Sequence, residues 1–388
     1  MQRIFRIICF VLKLIAASTL ACVIKFFSKN MRNIWIISER GDDARDNGFF
    51  FFEYMREAHP EQKIFYIIKE ESADYPKVIA IGEAIEPNSF RHFLYYSLCD
   101  IRISSSMWGG DLPCVDYFQK ARNIIGKKKK FVFLKHGIVK DFLPQHCAYS
   151  GSPNLYICGA KPEYDYVRSN FGHPEGVVQY TGLARFDNLH NIQTKRQILV
   201  MPTFRRWLQK MNDEEVKESE YIANWNQLLN DDRITGYLET FDIDLIFYPH
   251  YVMQKHIKDF HATSKRIIIA KFDDYDVQTL LIESKLLITD FSSVFFDFGY
   301  MNKPVIYYQF DRDRYIAEHY DFTKGYFSYE KDGFGDVVTD INALINAILE
   351  CINNDMKLSS KYRRRINNFF PLNDQKNSER IYEKILSL

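Results

Sequence analysis

The chain has 388 residues, 46% of them apolar and 26% charged, with 51 basic against 50 acidic side chains and a formal charge of +1. That length exceeds one ordinary domain and suits two hydrophobic cores, and the composition excludes a disordered or collagen-like chain. A charge so near zero also argues against a dedicated nucleic-acid binder, which needs a basic surplus to meet phosphates, so no nucleic-acid partner is expected.

Residues 4–27, IFRIICFVLKLIAASTLACVIKFF, are the most apolar stretch, broken by Arg6, Lys13 and Lys25 with Lys29 and Arg32 beyond. A transmembrane helix, a helix lying in the membrane interface and a signal peptide compete for it. Lys13 near the middle would cost about 3 kcal/mol on insertion scales, and basic residues at both ends suit anionic headgroups. An anchor on the cytoplasmic face of the cell membrane, peripheral or a single N-terminal helix, is therefore favoured, with a core helix as the bland alternative.

From Asn33 the pattern changes to short apolar runs separated by helical segments: NIWIIS, IFYIIK, IRISS, FVFLKHG, LYICG and VVQYTG. Residues 187–196 are polar and aperiodic and suit a linker, after which QILVMPT, DLIFYPH, RIIIA, LLITDFSS and PVIYYQF follow. Runs of β-branched and aromatic residues alternating with helical segments predict parallel strands in doubly wound sheets. The expected organisation is α/β: a membrane-associating helix over 1–30, then Rossmann-like domains over 31–190 and 191–388 facing each other across a cleft. Residues 375–388 read as a helix able to pack on either half. The run Lys127 to Lys130 reads as a solvated loop that near a membrane would also touch anionic lipid or polymer. The cysteines Cys9, Cys22, Cys99, Cys114, Cys147, Cys158 and Cys351 are scattered and never spaced C-x-x-C, which points to reduced thiols in a cytoplasmic setting.

In parallel-sheet proteins the working loops follow the carboxyl ends of strands. His136 and Gly137 come directly after the strand Phe131 to Leu134, where a histidine can accept a proton near neutral pH and a glycine lets substrate approach the backbone. His250 repeats that placement after Leu245 to Tyr248. Thr203 and Arg205, in PTFRR after Ile198 to Met201, offer a hydroxyl and a forked cation suited to diphosphate, whereas Arg206 reads as solvated. The strand Leu286 to Thr289 runs into Asp290, Phe291, Ser292 and Ser293 before a helix from Val294; such a junction holds a phosphate or is an ordinary helix cap. Asp297 falls on the same helical face as Ser293, as a ligand-side group or as an ion pair within the helix. P-loop, dinucleotide, zinc-peptidase and hydrolase-elbow motifs are absent, and no ligand cluster demands a metal, so no cofactor is expected.

In this order and spacing the segments resemble the CDP-glycerol glycerophosphotransferase family of teichoic acid primases and polymerases. ARDNGFFFFEYMREAHPEQKIFYII is similar to its D-N-[GS] segment, His136-Gly137 with Lys140 to W-H-G-T-x-x-K, and TGLARFDNL to T-G-x-x-R-x-D-x-L. MPTFR resembles P-T-[WF]-R, and ITDFSSVFFDFGYMNKPVIYY resembles the [IT]-T-D-[YF]-S-S-x-x-F-D segment that ends in K-P.

The resemblance implies a GT-B-like fold and transfer of glycerol phosphate or ribitol phosphate from a CDP-alditol to a polymer or lipid-linked acceptor of the cell wall or capsule, with CMP released. It implies His136 as general base, and His250 stabilising the donor phosphates. Arg205, Ser292 and Ser293 would contact diphosphate, Asp290 or Asp297 would order the nucleotide side, and Gly137 and Lys140 would lie on the acceptor side. The chain departs from the family pattern at Lys135 (for an aromatic), Ile138 (for threonine), Tyr251 (for proline) and Gly333-Phe334-Gly335-Asp336 (for P-G-P), which leaves alditol and acceptor open. A glycosyltransferase of the same architecture using a nucleotide-sugar, and a catalytically degraded scaffold of a polymer assembly complex, are the rival readings.

Overall fold

The computed structural model describes residues 2–28, 31–107, 109–112, 129–190, 193–319 and 323–388. Cys114, Lys127 and Lys128 lie outside them. The chain forms two compact units: residues 1–138, 144–188 and 374–388 in the first, and 139–143 and 189–373 in the second.

The first unit is built on a seven-stranded sheet in the order β3-β2-β1-β4-β5-β6-β7. Its strands are β1 (Trp35–Ser38), β2 (Ile64–Ile67), β3 (Ala84–Ile85), β4 (Ile101–Ser104), β5 (Lys130–Phe133), β6 (Leu155–Cys158) and β7 (Val178–Tyr180). Every pairing is parallel. β1, β2, β4 and β6 are buried at all positions, as helix cover on both faces of a parallel sheet requires; this is why they read as largely apolar runs, with Arg102 in β4 buried as a polar exception. Lys130 opens β5, and Lys129 lies 4.0 Å above the Tyr96 ring, so this end of the lysine run is packed structure and not a solvated loop.

The second unit carries a six-stranded parallel sheet in the order β10-β9-β8-β11-β12-β13. These are β8 (Gln197–Met201), β9 (Asp244–Phe247), β10 (Ile267–Ile269), β11 (Leu286–Thr289), β12 (Val305–Tyr308) and β13 (Gly335–Val338). Strand order reverses at β1 in the first sheet and at β8 in the second, the two switch points at which doubly wound folds place ligands.

The closing helix Asn377–Leu386 belongs to the first unit, although its place in the chain put it with the second domain. Its start is capped from the first unit: Asp187 accepts from the Asn377 and Ser378 backbone N–H groups at 2.9 and 2.8 Å and from Asn377 Nδ2 at 2.8 Å. Asp187, the first residue of the expected linker, is thus a structural anchor.

The N-terminal helix Gln2–Phe27 also packs in the first unit. Phe10, Leu14, Ala17 and Ala21 share a buried cluster with Phe93, Tyr96 and Leu98 of helix Phe90–Leu98. Ser18 and Ser97 hydroxyls lie 3.2 Å apart, and Lys25 pairs with Asp100 at 2.9 Å. The opposite face leaves Phe5, Ile8, Leu12, Ile15, Val23 and Phe26 exposed.

Candidate active site

In the first unit the working loops begin with Glu39 after β1. Its buried carboxylate accepts from the backbone N–H groups of Arg45, Asp46 and Phe49 at 3.0, 2.9 and 2.9 Å. Burial, joined by repulsion from Asp46, pushes the Glu39 carboxyl up to about 8. This clamp shapes the turn that presents Asp46 as N-cap of helix Asn47–Ala58.

Asp46 is then shared. Its Oδ2 lies 2.6 Å from His136 Nδ1, and its Oδ1 accepts from Arg185 Nη1 at 2.7 Å. Burial works to raise the Asp46 carboxyl, but Arg185 and His136 outweigh it and hold it below the ordinary range. A carboxylate on Nδ1 fixes the proton there in the neutral imidazole, leaving the Nε2 lone pair available. The His136 side chain is 44% exposed. Arg185 also donates to the His136 carbonyl, and Asn47 Nδ2 donates to the Lys135 carbonyl at 2.8 Å. Gly137 follows, half-buried, its carbonyl 3.4 Å from Lys135 Nζ.

In the second unit, loops after four adjacent strands gather the expected donor residues. Asp290, after β11, is wholly buried and accepts from the Thr203 and Phe291 N–H groups at 2.9 and 2.6 Å. Arg205, after β8, spends its fork inside the protein. Nε and Nη2 reach Asp311 at 2.6 and 2.9 Å, and Nη1 reaches Asp290 at 2.8 Å and the Thr203 carbonyl at 2.6 Å. Burial opposes its charge, yet Asp290 and Asp311 more than compensate and raise its pKa. With a fully buried side chain, Arg205 ties the loops after β8, β11 and β12 together.

Ser292 is half-buried and Ser293 exposed at the start of helix Val294–Tyr300, whereas Asp297 is buried within that helix. His250, after β9, accepts at Nδ1 from the Val252 N–H at 3.3 Å, so its neutral ring carries the proton on Nε2. Burial lowers its pKa, opposed by Asp290. Its ring lies between Phe204 and Tyr251, centroids 4.8 and 4.6 Å away. Lys140, expected on the acceptor side, falls in the second unit, its Nζ 2.6 Å from Asp141 and 5.7 Å from the Tyr329 ring centre.

Asp46, Arg185 and Asp311 were not singled out from the sequence. Asp46 and Arg185 lie inside the D-N-[GS] and T-G-x-x-R motifs, which was the only signal available. Lys303, of the K-P pair, turns inward: its buried amine donates to the Leu281 carbonyl at 2.9 Å and to that of Ile282, at the end of helix Val277–Glu283, and burial lowers its pKa to about 7.

A family model described as CDP-Glycerol:Poly(glycerophosphate) glycerophosphotransferase matches residues 165–387. The minor teichoic acid biosynthesis protein GgaB of Bacillus subtilis (strain 168) is 33% identical over 379 residues, 92% of this chain and 40% of that protein. A teichoic acid glycerol-phosphate transferase of Staphylococcus aureus (strain NCTC 8325 / PS 47) is 30% identical over 49% of this chain and 45% of its own. The chain thus spans less than half the length of these curated relatives. Among solved structures, the wall teichoic acid polymerase TagF superposes with a TM-score of 0.66 at 16% identity, over 100% of this chain and 97% of that one, a likeness of fold.

Proposed function

We propose a function from one premise: the chain belongs to the CDP-glycerol:poly(glycerophosphate) glycerophosphotransferase family. It transfers an alditol phosphate, glycerol or ribitol phosphate, from a CDP-alditol to a hydroxyl of a teichoic-acid-like or capsular polymer, releasing CMP. The observation that carries this reading is the Asp46–His136 pair at 2.6 Å, which orients a half-exposed imidazole with its Nε2 lone pair free to act as a base.

The acceptor oxygen attacks the β-phosphorus and its proton passes to His136 Nε2. The new P–O bond forms as the bond from that phosphorus to the bridging oxygen breaks, and the electron pair leaves with CMP. Asp46 orients the imidazole and offsets the positive charge it acquires, while Arg185 fixes Asp46 and the His136 backbone carbonyl in place. On the donor side, the His250 Nε2–H and the hydroxyls of Ser292 and Ser293 supply hydrogen bonds to the phosphate oxygens. Arg205, Asp290 and Thr203 set the loops from which those groups project, and Asp297 orders the following helix. The exposed apolar stripe of helix Gln2–Phe27 rests on the membrane surface, where a lipid-linked acceptor is presented.

The test is nucleotide release by the purified full chain from CDP-glycerol, CDP-ribitol and UDP-sugars with a polymer acceptor. Acceptor-dependent CMP from one CDP-alditol is expected. UDP released from a sugar donor would move the chain to glycosyl transfer, and silence with every donor would sink the catalytic reading.

A further inference from the structure

Behind His136 lies an ion pair with no access to solvent. Lys135 and Glu163 side chains are 1% and 0% exposed, and Nζ donates to the Glu163 carboxylate. Glu163 sits in the first turn of helix Lys161–Asn170, after β6, and its other oxygen accepts from the Gly159 N–H at 2.7 Å. Lys135 adopts φ +63°, a left-handed conformation that a non-glycine residue holds only where its surroundings impose it. Its carbonyl takes the Asn47 amide at 2.8 Å, and its Nζ lies 3.4 Å from the Gly137 carbonyl. The residue before His136 is therefore held at backbone and at side chain, from helix Asn47–Ala58 on one side and the β6 loop on the other.

We propose that Lys135 and Glu163 are positioning residues for transfer: the buried pair locks the loop after β5 so that the His136 ring meets Asp46 in line. A buried pair is a poor source of stability, since apolar or neutral groups of like shape often replace it without loss, but it fixes one geometry among several. The pair occupies a place where an aromatic anchor would hold the loop by packing alone. This inference rests on His136 as the base.

The test is the double variant Lys135→Met with Glu163→Gln, in which the glutamine oxygen still serves Gly159 and no uncompensated charge is left inside. With CDP-alditol and acceptor, kcat should fall about tenfold or more at unchanged donor KM, as expected when a base contributing 10²- to 10⁴-fold is mispositioned. Asp46→Asn should cost less in that background than in the native chain, because both changes act through the same imidazole. A folded double variant with native kcat, or losses that simply multiply, would overturn the proposal. Should the double variant not melt cooperatively, Lys135→Gln with Glu163→Gln, which leaves a neutral hydrogen-bonding pair inside, is judged by the same two readouts. His136→Ala is the control: if it stays active, the base assignment fails, and if it is inactive while the double variant is fully active, only the positioning role fails.

Discussion

At Asp46 one carboxylate does three things: it caps helix Asn47–Ala58, accepts from Arg185 and faces His136 Nδ1. Asparagine separates these roles, since it remains a good N-cap and can still accept from Arg185 but carries no charge to hold an imidazolium. Asp46→Asn should therefore melt like the native protein while kcat falls by about 10²-fold or more; an equal loss of stability and turnover would mean that the cap, and not the charge, is what matters. Arg205 presents the opposite case. A forked cation beside a strand end reads from sequence as a phosphate ligand, but whether it faces ligand or interior depends on acids at Asp290 and Asp311 that only the fold brings near. Local placement made His136 and His250 legible, because a strand followed by histidine is visible within a few residues. The partners that decide what His136 does, Asp46 at 90 residues' separation and Arg185 at 49, were invisible for the same reason.

Among the elements, strands buried on all sides announce themselves as apolar runs, and eleven of the thirteen among the described residues are readable that way. The two that were not are β3, only two residues long, and β13, which opens Gly-Asp and whose glycine is required because a Cβ at Gly335 would lie 1.6 Å from the Val305 carbonyl oxygen. The N-terminal helix was legible as apolar but not as two-faced. One face is tied along much of its length to helix Phe90–Leu98 and to Asp100, which favours lying along a surface over crossing a bilayer. The chain is expected to float with anionic vesicles and to be stripped from them by alkaline carbonate. Ile8→Asp with Ile15→Asp, on the exposed face, should abolish flotation without lowering the melting temperature. Leu14→Ala, on the packed face, should instead destabilise the first unit by about 2 to 5 kcal/mol. Resistance to carbonate extraction would show a spanning helix.

Over the whole first unit, the pH response is a sum of opposed buried groups. His92 accepts at Nδ1 from the Asn88 N–H at 3.1 Å and faces the Gly110 carbonyl at 3.2 Å, and burial lowers its pKa to about 4. His146 hydrogen-bonds the Tyr156 hydroxyl at 2.9 Å and is lowered to about 3, first by burial and then by Lys135 and neighbouring histidines. A depressed histidine leaves its stability intact above the ordinary value near 6.5 and forfeits it as pH falls toward the folded value, at about 1.4 kcal/mol per pH unit. Glu39 has the reverse sign. Raised from 4.5 to about 8, it favours the fold below 4.5 and loses that contribution as pH climbs through 8. Between about pH 6.5 and 4.5 the two histidines should together weaken the unit by roughly 2.8 kcal/mol per pH unit while Glu39 offsets roughly 1.4 of it; of these three groups, Glu39 alone changes its contribution from 6.5 to 8. These three groups by themselves place the stability optimum of the first unit near pH 6.5. Compared with the native protein, Glu39→Gln, whose amide oxygen can still accept from the Asp46 and Phe49 N–H groups, should lose less melting temperature from pH 6.5 to 8 and more below pH 6.5. Thermal melts of both proteins from pH 5 to 8 decide the matter, and parallel curves would mean that Glu39 carries no excess proton in the folded unit.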